Sequence, residues 1–115
     1  RKDAVRTVLA VVAWHGAPDR PESALEAYRS ALGEALGEHP DALPDTSDWI
    51  GQLDDALDDL DELTAPAKEQ MIRALTLAVR HDGEFKEAEL ELVRAVCSAM
   101  HVPIPALAGA NPAPG

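Results

Sequence analysis

A chain of 115 residues has room for one domain, and folding it buries roughly two-thirds of the unfolded surface, enough for a true core. Ala and Leu dominate a hydrophobic fraction of 46%, whereas aromatic residues make up 3%, a bias that favours helices over strands and excludes global disorder. With 21 acidic residues against 10 Lys and Arg the formal net charge is −11, which repels phosphate backbones and anionic headgroups and argues against nucleic acid and lipid surfaces as partners. No apolar run reaches the roughly 20 residues that span a bilayer, and the first residues do not read as a signal peptide, so direct membrane insertion by this chain is not expected. The single Cys97 excludes an internal disulfide, fits a reducing compartment, and lies with Val96 and Ala99 on a helical pattern as a buried structural thiol.

The residues divide into five predicted helices and a tail. Arg1-Lys2-Asp3 runs straight into an amphipathic pattern and reads as a cut just before a helix, in a fragment of a larger protein. That helix is expected over residues 3–14, with Val5, Val8, Leu9 and Val12 as one buried stripe, ended by Gly16. Pro21 opens the second helix, where its missing amide donor costs nothing, with Glu22 at the positive end of the dipole. Leu25, Tyr28, Leu32 and Leu36 are its predicted core stripe, and Gly37 followed by His39-Pro40 stops it.

After a loop over residues 40–44, Thr46 or Ser47 is the expected cap of the third helix. Ile50, Leu53, Leu57 and Leu60 recur three and four apart as a coiled-coil-like seam. Thr64 caps the fourth helix, with Pro66 in its first turn and Met71, Ile72, Leu75, Ala78 and Val79 inward. Asp82-Gly83 breaks it. The fifth helix begins near Lys86, with Phe85 and Leu90 placed as a hydrophobic staple and Glu89 where a capping-box acid stands. Its predicted inner face is Leu90, Val93, Cys97 and Met100. Pro103 and Pro105 allow at most one further short turn, so the fold class is an all-α bundle of about five helices over residues 1–108, followed by a disordered C-terminal tail over 109–115.

An internal repeat is visible. The first helix ends Trp14-His15-Gly16 and the fourth ends Arg80-His81-Asp82-Gly83, and the helices that follow carry Leu25-Glu26 with Arg29 and Leu90-Glu91 with Arg94. Two pseudo-repeated helical hairpins joined by the third helix are the natural reading.

The segment from Asp82 to Glu89 keeps part of a calcium-loop spacing, with Gly83, Phe85 and Glu89 at the positions of the loop's glycine, apolar residue and final glutamate. Ala78 and Arg80 stand where calcium needs oxygen donors, so the choice lies between a glycine cap before a stapled helix and a weak divalent-cation site using Asp82, Glu84, Glu87 and Glu89. The third helix carries Asp54, Asp55, Asp58, Asp59, Asp61 and Glu62. Asp54 with Asp58 and Asp55 with Asp59 are like-charge pairs one turn apart, destabilising unless something compensates. Such a run is either a solvated face or a surface that docks a basic partner or collects cations.

His15, His39, His81 and His101 lack the spacing that puts two imidazoles on one helix face around zinc, and His15 and His81 suit helix C-termini. Trp14 and Trp49 are expected to plug the core between hairpins. There is no phosphate loop, nucleophile elbow or Ser/His/Asp pattern, so the chain is read as lacking a catalytic site.

The stretch from Leu75 through Arg80-His81-Asp82-Gly83 to Glu89-Leu-Glu-Leu-Val-Arg94 resembles the signature of TerB-like domains, in which a helix ends in Asp-Gly and the next opens with a Glu six residues after the Gly. With Leu63-Thr-Ala-Pro-Ala-Lys68 and Val102-Pro-Ile-Pro-Ala-Leu107, the chain is similar to the C-terminal appendage of bacterial membrane-bound zinc metallopeptidases of the HtpX and CAAX-protease kind, over residues 5–108.

The resemblance implies a TerB-like bundle and a parent zinc metalloendopeptidase whose transmembrane helices and zinc lie upstream of this chain. Together with that parent, the lone Cys97 and the absent signal favour the cytoplasmic face of the membrane. Of the acids that serve metal binding in the tellurite-resistance type, Asp82 and Glu89 match; His15-Gly16 lacks the Asp of the first repeat, and Ala24 stands where Glu89 stands in the second.

The expected function is therefore a non-catalytic regulatory or protein-interaction module. Its partner would be a separate protein or the parent's own protease domain, contacted through the acidic third helix, and an exposed Ile or Leu beside that face would support it. The alternatives are a metal-responsive, tellurite-resistance-type domain that binds a divalent cation, and an independent helical scaffold. No cofactor beyond a weakly held cation is expected in this chain.

Overall fold

The first helix is apolar on almost every side, and this sets the architecture. In the computed structural model, which describes residues 2–80 and 87–102, the elements are α1 (Lys2–Gly16), α2 (Pro21–Leu36), α3 (Trp49–Leu60), α4 (Ala65–Arg80) and α5 (Glu87–Met100), with no strand among the described residues. α1 buries Ala10, Val11 and Ala13 in addition to the Val5, Val8, Leu9 and Val12 stripe. A helix buried all round must be central, and α1 indeed packs against all four others.

α2 begins at Pro21 and ends at Gly37, whose φ of 70° lets its N–H bond back to the Gly33 carbonyl. Its buried face is rotated from the expected one: Ala24, Ala27, Tyr28, Ala31 and Leu32 are inside, while Leu25 and Leu36 are half-buried. The alanines explain this. α2 packs most extensively on α4, which presents Ala74 and Ala78 beside Met71, Leu75 and Val79, and small residues on both surfaces let the two helices approach closely. Ile72 is only half-buried at the edge of this face.

Thr64 caps α4 through its Oγ1, which accepts the Ala67 N–H at 3.3 Å, and Pro66 sits in the first turn. The start of α3 differs from expectation. Asp48 is the residue before the helix and makes no side-chain capping bond, while the Asp45 carboxylate accepts the Ser47 N–H at 2.9 Å. The chain enters α3 through a turn closed by Trp49 N–H to the Thr46 carbonyl, so Thr46 and Ser47 shape the approach rather than cap the helix.

α3 lies against α1 and α5 and makes no extended contact with α2 or α4. The α4–α5 pairing is also slighter than the α1–α2 pairing. α5 buries Leu92, Val93, Val96, Cys97 and Met100, with Leu90 half-buried. The predicted break at Asp82-Gly83, the Phe85 staple and the Lys86 start lie outside the described residues. So do the turn at Pro103 and Pro105 and the tail over 109–115.

Candidate functional site

α3 is the shortest of the described helices, and its predicted seam includes a residue that is largely exposed. Leu53, Ala56 and Leu60 are buried against the bundle, but Leu57 is half-buried and Ile50 is 68% exposed. A coiled-coil seam assumes a period of 3.5, whereas α1 and α5 cover only one side of it. At 100° per residue, Ile50 and Leu57 sit about 40–60° around the helix from Leu53, towards solvent. Together with Trp49, Leu53, Gly51 and Asp54 they line an open groove of about 440 Å³.

Trp49 is held at the head of this groove. The His15 ring stands edge-on to both indoles, with ring centroids 4.9 Å from Trp14 and 4.5 Å from Trp49. His15 Nδ1 donates to the Val11 carbonyl at 2.8 Å, which fixes the ring. Both tryptophans are half-buried, so they form with His15 a rim cluster joining the end of α1 to the start of α3 rather than a plug in the core.

The six acids assigned to this face divide into groups. Asp54 and Asp58 lie about 100° and 140° from Leu53, next to Ile50 and Leu57, while Asp55 and Asp59 lie at about 200° and 240°, on the far side of the helix. All four are exposed, and none forms an ion pair among the described residues. Asp61 is engaged: His101 Nδ1 donates to its Oδ1 at 2.8 Å and Lys68 Nζ stands 3.5 Å away, and the His101 bond above all holds the Asp61 carboxyl below its usual range. Glu62 is also engaged, so the carboxylates left available beside the apolar ledge are Asp54 and Asp58.

Charge is segregated along the chain. Residues 30–67 contain 11 acids and no Lys or Arg, while the rest of the chain balances 10 acids with 10 Lys and Arg. The entire formal charge of −11 therefore belongs to the segment centred on α3.

Of the four acids considered for metal, Glu87 and Glu89 lie among the described residues. Asp82 and Glu84 lie outside the described residues. Glu87 is exposed at the start of α5, whereas Glu89 is 1% exposed, and two residues along a helix turn side chains about 200° apart. The Glu89 carboxylate lies against Gly16 at the end of α1, beside Ala13, Ala17, Ala27 and Ala78. No group of three or more His, Cys, Asp or Glu is placed to hold a metal among the described residues.

A second open groove, about 330 Å³, runs between α1, α2 and α4 and is lined by Val5, Leu36, Leu63, Pro66 and Met71 with Lys2 and Gln70 at its polar edge. Gln70 is committed, donating to Glu34 Oε2 at 2.9 Å. No helix among the described residues is long and apolar enough to cross a membrane. Comparison with protein-family models, with curated proteins and with solved structures finds no match.

Proposed function

We propose that this chain is a non-catalytic protein-interaction module, TerB-like, that serves as the C-terminal regulatory appendage of a bacterial membrane zinc metallopeptidase on the cytoplasmic side. The observation that carries the interaction reading is Ile50, a large aliphatic side chain 68% exposed on the helix that also bears the unpaired acids. A lone exposed apolar residue is ordinary, but here Leu57 and Trp49 extend it into a continuous ledge with a charged rim, the pattern of a contact surface. The attachment to a peptidase rests on the sequence resemblance.

Two measurements test the two halves of the proposal. The native gene upstream of Arg1 should encode transmembrane segments and a helix with the H-E-x-x-H spacing; a start codon directly before Arg1 removes the peptidase. In the full-length protein, Ile50→Ser combined with Asp54→Asn and Asp58→Asn should alter proteolysis or partner binding while the helical circular dichroism is unchanged. Unchanged activity and unchanged interactions would show that α3 is not the working surface.

A further inference from the structure

We infer that the Ile50–Leu57 ledge of α3 receives a basic amphipathic helix, its apolar stripe seated on Ile50, Leu57 and Trp49 and its Lys or Arg side chains paired with Asp54 and Asp58. This rests on the reading of α3 as an interaction surface and identifies the partner that surface fits.

Charge selects the partner. All of the chain's excess charge lies in residues 30–67, where there is no internal Lys or Arg to neutralise it. Asp54 and Asp58 are exposed, one turn apart, and border the apolar groove directly, while Asp61 beyond them is already paired with His101 and Lys68. A second copy of the chain would bring the same carboxylates onto the ledge and be repelled. Nucleic acid and an anionic membrane are repelled for the same reason.

Shape selects the conformation. From Ile50 to Leu57 the ledge runs two turns, about 10 Å. An α-helix surface offers no unpaired backbone donors or acceptors, so an extended segment gains no ladder hydrogen bonds here, whereas a helix brings apolar side chains at i, i+3 or i+4 and i+7 in matching register. Flanking Lys or Arg on that helix reach the Asp54 and Asp58 side. Trp49, fixed by His15 at 4.5 Å, is a rigid aromatic anchor at one end.

The experiment is a titration of the 115-residue chain, carrying Trp14→Phe so that Trp49 alone reports, with synthetic amidated peptides of about 18 residues. One has a Leu stripe at helical spacing flanked by Lys. A second has the same composition scrambled to abolish the stripe. A third keeps the stripe with Gln in place of Lys. The Leu/Lys peptide should bind and shift Trp49 emission, and affinity should fall with added salt. Ile50→Ser and the Asp54→Asn/Asp58→Asn pair should each weaken it by about tenfold or more, whereas Asp55→Asn/Asp59→Asn, removing equal charge from the far face, should change it by less than about twofold.

Equal binding of the scrambled peptide, or equal loss from the Asp55/Asp59 pair, would mean diffuse attraction and overturn the inference. Equal, salt-insensitive binding of the Gln peptide would also overturn it, while leaving α3 a docking surface. If none of the peptides binds and Ile50→Ser leaves the full-length protein's interactions intact, the inference and the interaction reading fail together.

Discussion

The carboxylate of Glu89 on α5 occupies the space that a side chain at position 16 would need: a Cβ on Gly16 would stand 2.6 Å from Oε2 and 2.9 Å from Cδ. Glu89 is 1% exposed and so has no open solvent to swing into. Ala is favoured over Gly inside a helix by about 1 kcal/mol, but overpacking a filled interior costs about 1–3 kcal/mol. Gly16→Ala should therefore destabilise the domain by up to about 2 kcal/mol in urea unfolding. Coupling with Glu89→Ala in a double-mutant cycle should recover part of that loss. A neutral Gly16→Ala would show that the carboxylate yields.

Glycine at position 16 was legible only as a helix stop, because the residue that requires it lies 73 positions away on another helix. Local signals did locate the elements. Pro21, Gly37, Thr64 and Pro66 each act within one turn of their own position, and the structure uses each as expected. Which face turns inward is a tertiary matter. Leu25 and Leu36 are larger than Ala24, Ala27 and Ala31 and dominate the apolar pattern, yet close α2–α4 packing selects the small residues. Ile50 fits the α3 seam by spacing but lies beyond the cover that α1 and α5 provide, which is why the site's most informative residue read as core.

Arg6 and Glu38 tie α1 to the segment after α2 through a two-pronged pair, Nε to Oε1 at 2.8 Å and Nη2 to Oε2 at 2.7 Å. The Arg6 hydrogen bond holds the Glu38 carboxyl below its usual range, and His101 does the same for Asp61. A carboxyl with a depressed folded pKa contributes stability above its unfolded value, about 4, and loses it as pH falls through the folded value. Acid unfolding should thus steepen below about pH 4. Arg6→Gln should lower stability near neutral pH by the modest contribution of this part-exposed pair, leave it unchanged in strong acid, and so flatten that limb. An unchanged acid limb would assign the pH dependence elsewhere.

Burial pushes the Cys97 thiol above its ordinary pKa, and the side chain is 0% exposed. A thiol-specific disulfide reagent should leave it unmodified in the native protein and react at once in denaturant. Native reactivity on the scale of a free thiol would mean that α5 opens locally.

α5 ends in a left-handed residue that is not glycine. His101 has φ 58°, its N–H bonds to the Ser98 carbonyl, and the Val102 N–H bonds to the Cys97 carbonyl, the paired arrangement of a Schellman cap. An L-residue in this conformation costs about 1–2 kcal/mol relative to the right-handed one, a penalty glycine escapes. The His101 side chain is 76% exposed, and its bond to Asp61 is on the surface. His101→Gly should raise thermal stability, by up to about 1 kcal/mol, because relief of the backbone outweighs one exposed contact. A loss of stability would reverse that ranking and make the Asp61 link the stronger term.

The acids of α3 set stability against binding. Asp54 faces Asp58 and Asp55 faces Asp59 one turn apart on a helix with no Lys or Arg of its own. Screening should relieve this repulsion, so the melting temperature should rise with moderate sodium chloride, and either Asp→Asn pair should raise it at low salt. The two pairs should be alike in this measurement because self-repulsion does not depend on which side of α3 faces the ledge. They should differ only in peptide binding, where Asp54 and Asp58 border Ile50 and Leu57 and the other pair does not. Equal stabilisation with unequal binding would separate a cost inherent in the charge from a use specific to one face; unequal stabilisation would instead point to an unequal electrostatic environment within the domain itself.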